Sequence, residues 1–197
     1  MATIINASTS AGLIQTADTS GTLQLQSNGV TQQTIDSTGS YGQLKQGTAQ
    51  ASTSGTSITF SSIPSWAKRI TVMFNGVSTS STSDVICQIG AGSVVSTGYS
   101  ASGSALNTSS MATSAYTTGF PLMKSEIAAS IMGGIAVLTN VTSNVWAMSS
   151  NISRGDGVMT VGAGYISLSG TLDRVVVTTV NGTDTFDAGS INILYEG

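Results

Sequence analysis

The sequence predicts an all-β protein: an extended N-terminal arm carrying a β-hairpin, followed by a jelly-roll-like β-sandwich. Three observations carry that expectation. Serine and threonine supply 61 of the 197 residues while charged residues supply only 8%, a composition poor in the Glu, Lys and Arg of exposed helices and rich in strand and turn formers. Short apolar runs recur between Gly, Asn, Asp and Ser clusters, the pattern of strands and tight turns. The chain closes on two β-rich runs around Asn181-Gly182, which reads as a final hairpin.

Residues 1–47 form the arm. Their bulky side chains are few, and Thr22-Leu23-Gln24-Leu25-Gln26 alternates with period two before Ser27-Asn28-Gly29, Val30 to Ile35 and a second turn at Asp36 to Gly39. That is one hairpin. A lone hairpin is marginal in water, so the arm either associates with copies of itself, lies on another protein, or stays disordered.

Residues 48–57 read as a linker and 58–197 as the body. Strands are expected at Ser57 to Ser61, Arg69 to Asn75, Val85 to Ile89, Ile135 to Leu138, Val145 to Met148, Val158 to Val161, Tyr165 to Leu168, Arg174 to Val180 and Ser190 to Tyr195. Between them, Thr97 to Phe120 reads as a long irregular loop of small residues, and such loops often carry function. The apolar stretch Ile127 to Val141 is too short for a membrane helix and reads as a buried strand pair. Gly90-Ala91-Gly92 and Gly162-Ala163-Gly164 lack nucleotide-loop spacing and read as bulges or sharp turns.

The composition argues against most chemistry. With no histidine and one cysteine, Cys87, set in an apolar run, neither Ser-His-Asp nor Cys-His catalysis can be assembled within the chain. A glycosidase pair could be drawn from Asp173, Asp184, Asp187 and Glu196 near the C-terminus, but Asp184 and Asp187 flank a turn, where they are first backbone-capping residues. No catalytic residue, cofactor or metal is expected. Six scattered basic residues against nine acidic ones give no footprint for nucleic acid. Arg154-Gly155-Asp156 resembles a receptor-recognition tripeptide, yet Asp156-Gly157 before a strand is first a hairpin turn. The opening Met1 to Asn6 lacks the basic start and apolar core of a secretory signal. Among the aromatics, Trp146 reads as core, whereas Tyr99, Tyr116 and Trp66 are candidates for stacking on a sugar.

Three stretches carry a family resemblance: Ile63-Pro64-Ser65-Trp66-Ala67-Lys68-Arg69-Ile70-Thr71-Val72 through Ser80, then Val85 to Gly92, then Leu172-Asp173-Arg174-Val175 through Glu196. In this order they resemble bacteriophage and prophage virion proteins of the tail-fibre or tail-tip kind, over about three quarters of the chain. The resemblance implies a non-enzymatic, homotrimeric β-module on the virion surface, made in the bacterial host cytoplasm. The short arm favours a head-decoration, or cement, protein. In that reading Ile4, Ile5, Leu13 and Ile14 anchor the arm to the major capsid protein or a tail protein, and Leu23, Leu25, Val30 and Ile35 make trimer contacts. The alternative is a short tail fibre or tail-tip protein that binds a host-surface glycan. No membrane insertion is expected in either.

Overall fold

In the computed structural model, residues 23–27, 30–36, 39–40, 44–124 and 126–197 are described. They fall into two units, one ending at residue 43 and one running from Leu44 to Gly197. All the regular structure among them is β, and every ladder is antiparallel.

The described residues of the first unit form a three-stranded sheet. β1 (Leu23–Ser27) pairs with β2 (Val30–Asp36), which pairs with β3 (Gly39–Ser40). The expected hairpin is present, with a register shift between Leu25 and Gln26 that the alternation does not signal.

The second unit is a sandwich of two sheets. The larger contains β4 (Leu44–Gln46), β5 (Gln50–Ala51), β7 (Arg69–Thr79), β10 (Ser100–Leu106), β11 (Met111–Tyr116), β13 (Met132–Thr142), β14 (Val145–Arg154), β15 (Met159–Ser167) and β17 (Phe186–Glu196). Its order is β11-β10-β15-β14-β13-β7-β17-β4, with β5 also on β17. The smaller contains β6 (Ser57–Ser61), β8 (Val85–Ala91), β9 (Ser93–Val94), β12 (Phe120–Met123) and β16 (Arg174–Thr179), in the order β12-β8-β16-β6 with β9 on β8. The chain passes repeatedly between the sheets, as jelly-roll-like sandwiches do.

The inner faces follow from alternation. Along β7, Ile70, Val72 and Phe74 are buried, and along β17 Ile191, Ile193 and Tyr195; Val175 and Val177 of β16 meet them from the other layer. Two faces of apolar side chains close against each other and exclude water, the main favourable term in such a fold.

Several expectations change. Leu44–Gln46 and Gln50–Ala51, read as arm and linker, are short strands on β17, and Ser52 is fully buried with its hydroxyl donating to the Ala188 carbonyl at 2.8 Å. Ile127 to Val141 holds one strand, β13, instead of a pair. The run around Asn181-Gly182 is not a hairpin: β16 lies in the small sheet and β17 in the large one, so the turn is a crossover between layers. A local turn signal specifies a reversal but not which neighbour the next strand will take.

Thr97 to Phe120 is not an irregular loop. It contains the regular hairpin β10–β11, in register from Ala101↔Tyr116 to Leu106↔Met111. Gly162-Ala163-Gly164 is not a turn either, for it sits inside β15. A Cβ at Gly162 would lie 2.5 Å from the Pro121 carbonyl oxygen, and one at Gly164 2.4 Å from the Ala101 Cβ. These glycines let β12 and β10 approach more closely than any side chain would permit. By contrast Gly92, at φ +76°, does make the sharp turn expected between β8 and β9.

Candidate functional site

The arm contacts expected from the sequence fall in and around β1 and β2. Leu23 stands directly opposite Ile35, and Leu25 is two residues further along β1, so the three share one face of the hairpin. Leu25 is 40% and Ile35 36% exposed. Val30 opposes Ser27 beside the turn. No residue of this small sheet whose burial is described is buried, so nothing among them forms a core. Ile4, Ile5, Leu13 and Ile14 lie outside the described residues.

Two of the three candidate sugar-stacking residues are in the interior. Tyr99 is 3% and Tyr116 6% exposed. The Tyr99 hydroxyl accepts from the Ile89 N–H at 2.8 Å and donates to the Val95 carbonyl at 3.0 Å, and its ring meets Phe120 edge-on with centroids 4.9 Å apart. Tyr116 donates to Asp84 Oδ2 at 2.6 Å. Burial with a satisfied hydroxyl is what a tyrosine gains from a core position. Trp66 is half-buried against the core. The cleft next to it, bounded by Ser65, Lys68, Asn140 and Trp146, holds only about 80 Å³, well below the size of a ligand pocket.

Among the described residues the exposed aromatic is Tyr165, at 58%. It follows Gly164 on β15 and pairs with Ser100 of β10. Ser100, Ala101, Ser102, Ala163 and Gly164 line an open depression of about 370 Å³ beside it. The sequence reading placed Tyr165 in a strand but could not say which face it takes.

A cluster that the sequence does not announce lies where β11, β12 and β14 end. Asp84, Tyr116, Lys124, Glu126, Arg154 and Asp156 meet there, five of them charged in a chain with only 6 basic and 9 acidic residues. Lys124 Nζ stands 3.9 Å from Asp84 Oδ2. Arg154 forks onto Asp156, with Nε and Nη2 each 2.8 Å from one carboxylate oxygen. Within Arg154-Gly155-Asp156 the arginine is thus 5% exposed and held by its own aspartate, and the Asp156-Gly157 turn links β14 to β15 as expected.

Glu126 is 3% exposed. Its Oε1 accepts from the Ile127 N–H at 3.0 Å, while its Oε2 is buried without a partner. Burial pushes its carboxyl from 4.5 up to about 7, the Ile127 N–H and Arg154 acting against the rise and the Asp156 and Asp84 carboxylates adding to it. Burial also pushes the Tyr116 phenol upward, with Asp84 reinforcing the shift. These groups are separated by up to 72 residues along the chain, and no local motif joins them.

Asp184 and Asp187 are engaged as structural acceptors. Asp184 takes the Ser83 N–H at 3.0 Å and the Asn181 amide at 2.6 Å, and Asp187 takes the Ser78 hydroxyl. Asn181 Oδ1 in turn caps the Thr183 and Asp184 N–H groups, an Asx-type turn. Burial raises the Cys87 thiol to about 12, so it is an inert core group. Among the described residues no three His, Cys, Asp or Glu side chains gather to hold a metal.

No family model matches this chain, and no curated protein or solved structure is significantly similar to it.

Proposed function

We propose that the chain is a non-enzymatic structural protein of a bacteriophage virion, a homotrimeric head-decoration protein anchored to the major capsid protein through its N-terminal arm. It would be made in the host cytoplasm and work on the virion surface. The observation that carries this reading is the arm hairpin, whose Leu23, Leu25 and Ile35 share a face with no core beneath them among the described residues. A hairpin of this size gains stability only from a partner surface, and identical copies around an axis supply one. The body, with its own two-layer core, can fold without that help.

The test is deletion of residues 1–43. The expected product is a soluble, folded body that no longer binds particles lacking the native protein. Decoration of those particles by the deleted protein would sink the proposal.

A second reading, a short tail fibre or tail-tip protein that binds a host-surface glycan, is favoured by one observation. Tyr165 is exposed beside an open depression of about 370 Å³, and an exposed aromatic face is a platform for a sugar ring. It predicts that the full chain binds host envelope polysaccharide and that Tyr165→Ala removes this binding. Absence of binding to envelope sugars by the wild-type chain would exclude it.

A further inference from the structure

The large sheet ends on β11, an edge unlike the other edges of the body. β12 is four residues long, buried throughout and contains Pro121. The edge formed by β4 and β5 is broken into three and two residues and carries Lys45. On β6 the Thr59 carbonyl accepts from the Gln50 side chain at 2.8 Å. β11 has no charge, no proline and no bulge against β10, and no described strand pairs with its outer side. Sheet edges are normally blunted by such devices, because an open edge is a template for another strand.

The hairpin fixes which backbone groups point outward. The Asn107 N–H donates to the Ser110 carbonyl at 3.1 Å, and the register then runs without a shift from Leu106↔Met111 to Ala101↔Tyr116. Bonded and non-bonded pairs alternate in an antiparallel ladder, so Ala112, Ser114 and Tyr116 exchange bonds with β10. The N–H and C=O groups of Met111, Thr113 and Ala115 are therefore turned away from it. Met111, Thr113 and Ala115 are also exposed, and Thr113 Oγ1 lies 2.9 Å from Ser104 Oγ on the sheet's outer face.

We propose that β11 is a self-association edge, along which a second copy of this chain docks antiparallel, with Thr113 facing its counterpart and Met111 facing Ala115. A two-fold axis normal to the sheet keeps the inner and outer faces of both copies matched only when residues of like parity pair, and this register satisfies that condition. It forms about six main-chain hydrogen bonds from groups that otherwise face water. A second copy fits because the edge is neutral: pairing brings no like charges together, whereas pairing along β4 would bring Lys45 toward Lys45. Large Met111 meets small Ala115, and a central Thr–Thr pair is a favourable cross-strand match. This two-fold contact is independent of arm association; where arms trimerise, it links one trimer to the next.

The test uses the full chain. Thr113→Cys sets two thiols across the axis at a Cα separation of about 5.5 Å, within disulfide range, while the native Cys87 is buried. Thr113→Pro removes an outward N–H without taking a bond from β10. Thr113→Lys keeps every backbone group but opposes like charges, so a folding defect in the proline variant does not decide the result. Mild oxidation is expected to give a covalent dimer of Thr113→Cys in high yield, with little from Ser109→Cys at the hairpin tip. Light scattering is expected to show the proline and lysine variants at half the mass of the wild-type assembly. Equal cross-linking at both cysteine positions, or identical masses for wild type and both variants, overturns the proposal.

Discussion

The arm hairpin and the β10–β11 hairpin of the body are both nearly free of charge, the first built of Gln, Thr, Leu, Val and Ile with one Ser and one Asp, the second of Ser, Ala, Gly and Thr with one Leu, one Met and one Tyr. Their surroundings differ. Beneath β10–β11 lies β12, so Ala105 and Tyr116 are buried, and a Cβ at Gly103 would come 2.7 Å from the Pro121 Cβ. On the arm, Leu25 and Ile35 remain exposed and no covering layer is present among the described residues. A hairpin of small residues is thus stabilised by what packs on it more than by its own sequence, and small side chains help by letting the second layer come close.

Removing the cover over β10–β11 is expected to have the largest effect. Phe120 is fully buried on β12 and packs edge-on against Tyr99. Phe120→Ala is expected to cost about 3–5 kcal/mol, the range for deleting a buried aromatic, read as a lowered midpoint in denaturant. Unfolding of the body at the wild-type midpoint would show that β12 does not hold the layers together.

A smaller effect is expected at the ionisable cluster that closes the same end of the body. The Glu126 carboxyl lies at about 7 when folded against 4.5 when unfolded. A carboxyl raised by folding favours the protonated folded form, so its contribution is fully present below pH 4.5 and is lost as pH rises toward 7. With allowance for solvent screening the loss is on the order of 1–2 kcal/mol. Glu126→Gln should flatten this slope in melts taken between about pH 4 and about pH 8, a window that brackets both the unfolded and the folded value. An unaltered slope would mean that other groups carry it.

The smallest effect on body stability is expected at the arm. Leu25→Ser should change the unfolding free energy of the body by less than about 0.5 kcal/mol, as for an exposed site, while reducing the mass of the arm-mediated assembly seen by light scattering. A large drop in the body midpoint would instead tie the two units into one cooperative structure.

Strands with large alternating side chains are legible in the sequence. Ser57 to Ser61 was expected as a strand and is one, with Ile58 and Phe60 buried and its three polar residues exposed. β14 was expected only to Met148 but runs to Arg154, because Ser150 and Arg154 also take inward positions that hydropathy does not mark. β10 and β11 were hidden for the same reason: alternation among Ser, Ala, Gly and Thr has almost no amplitude. Tyr99 and Tyr116 seemed exposed only because the segment holding them read as a loop, while Tyr165 looked like any strand residue. The Glu126 cluster was illegible, since its members come together only when the strands ending in Tyr116, Met123 and Arg154 converge.

An all-β fold could be read from the amino-acid sequence alone, as could the lack of the histidine that a Ser-His-Asp or Cys-His site needs. Composition and short-range periodicity suffice for that, because they govern which backbone conformations are cheap and which faces seek cover. The folded chain settles which sheet each strand joins, that Asn181-Gly182 bridges two layers, that a Gly-Ala-Gly run is a place of close approach, and that no described strand pairs with the outer side of β11. Those outcomes depend on contacts between residues far apart in the chain, and a local pattern does not encode them.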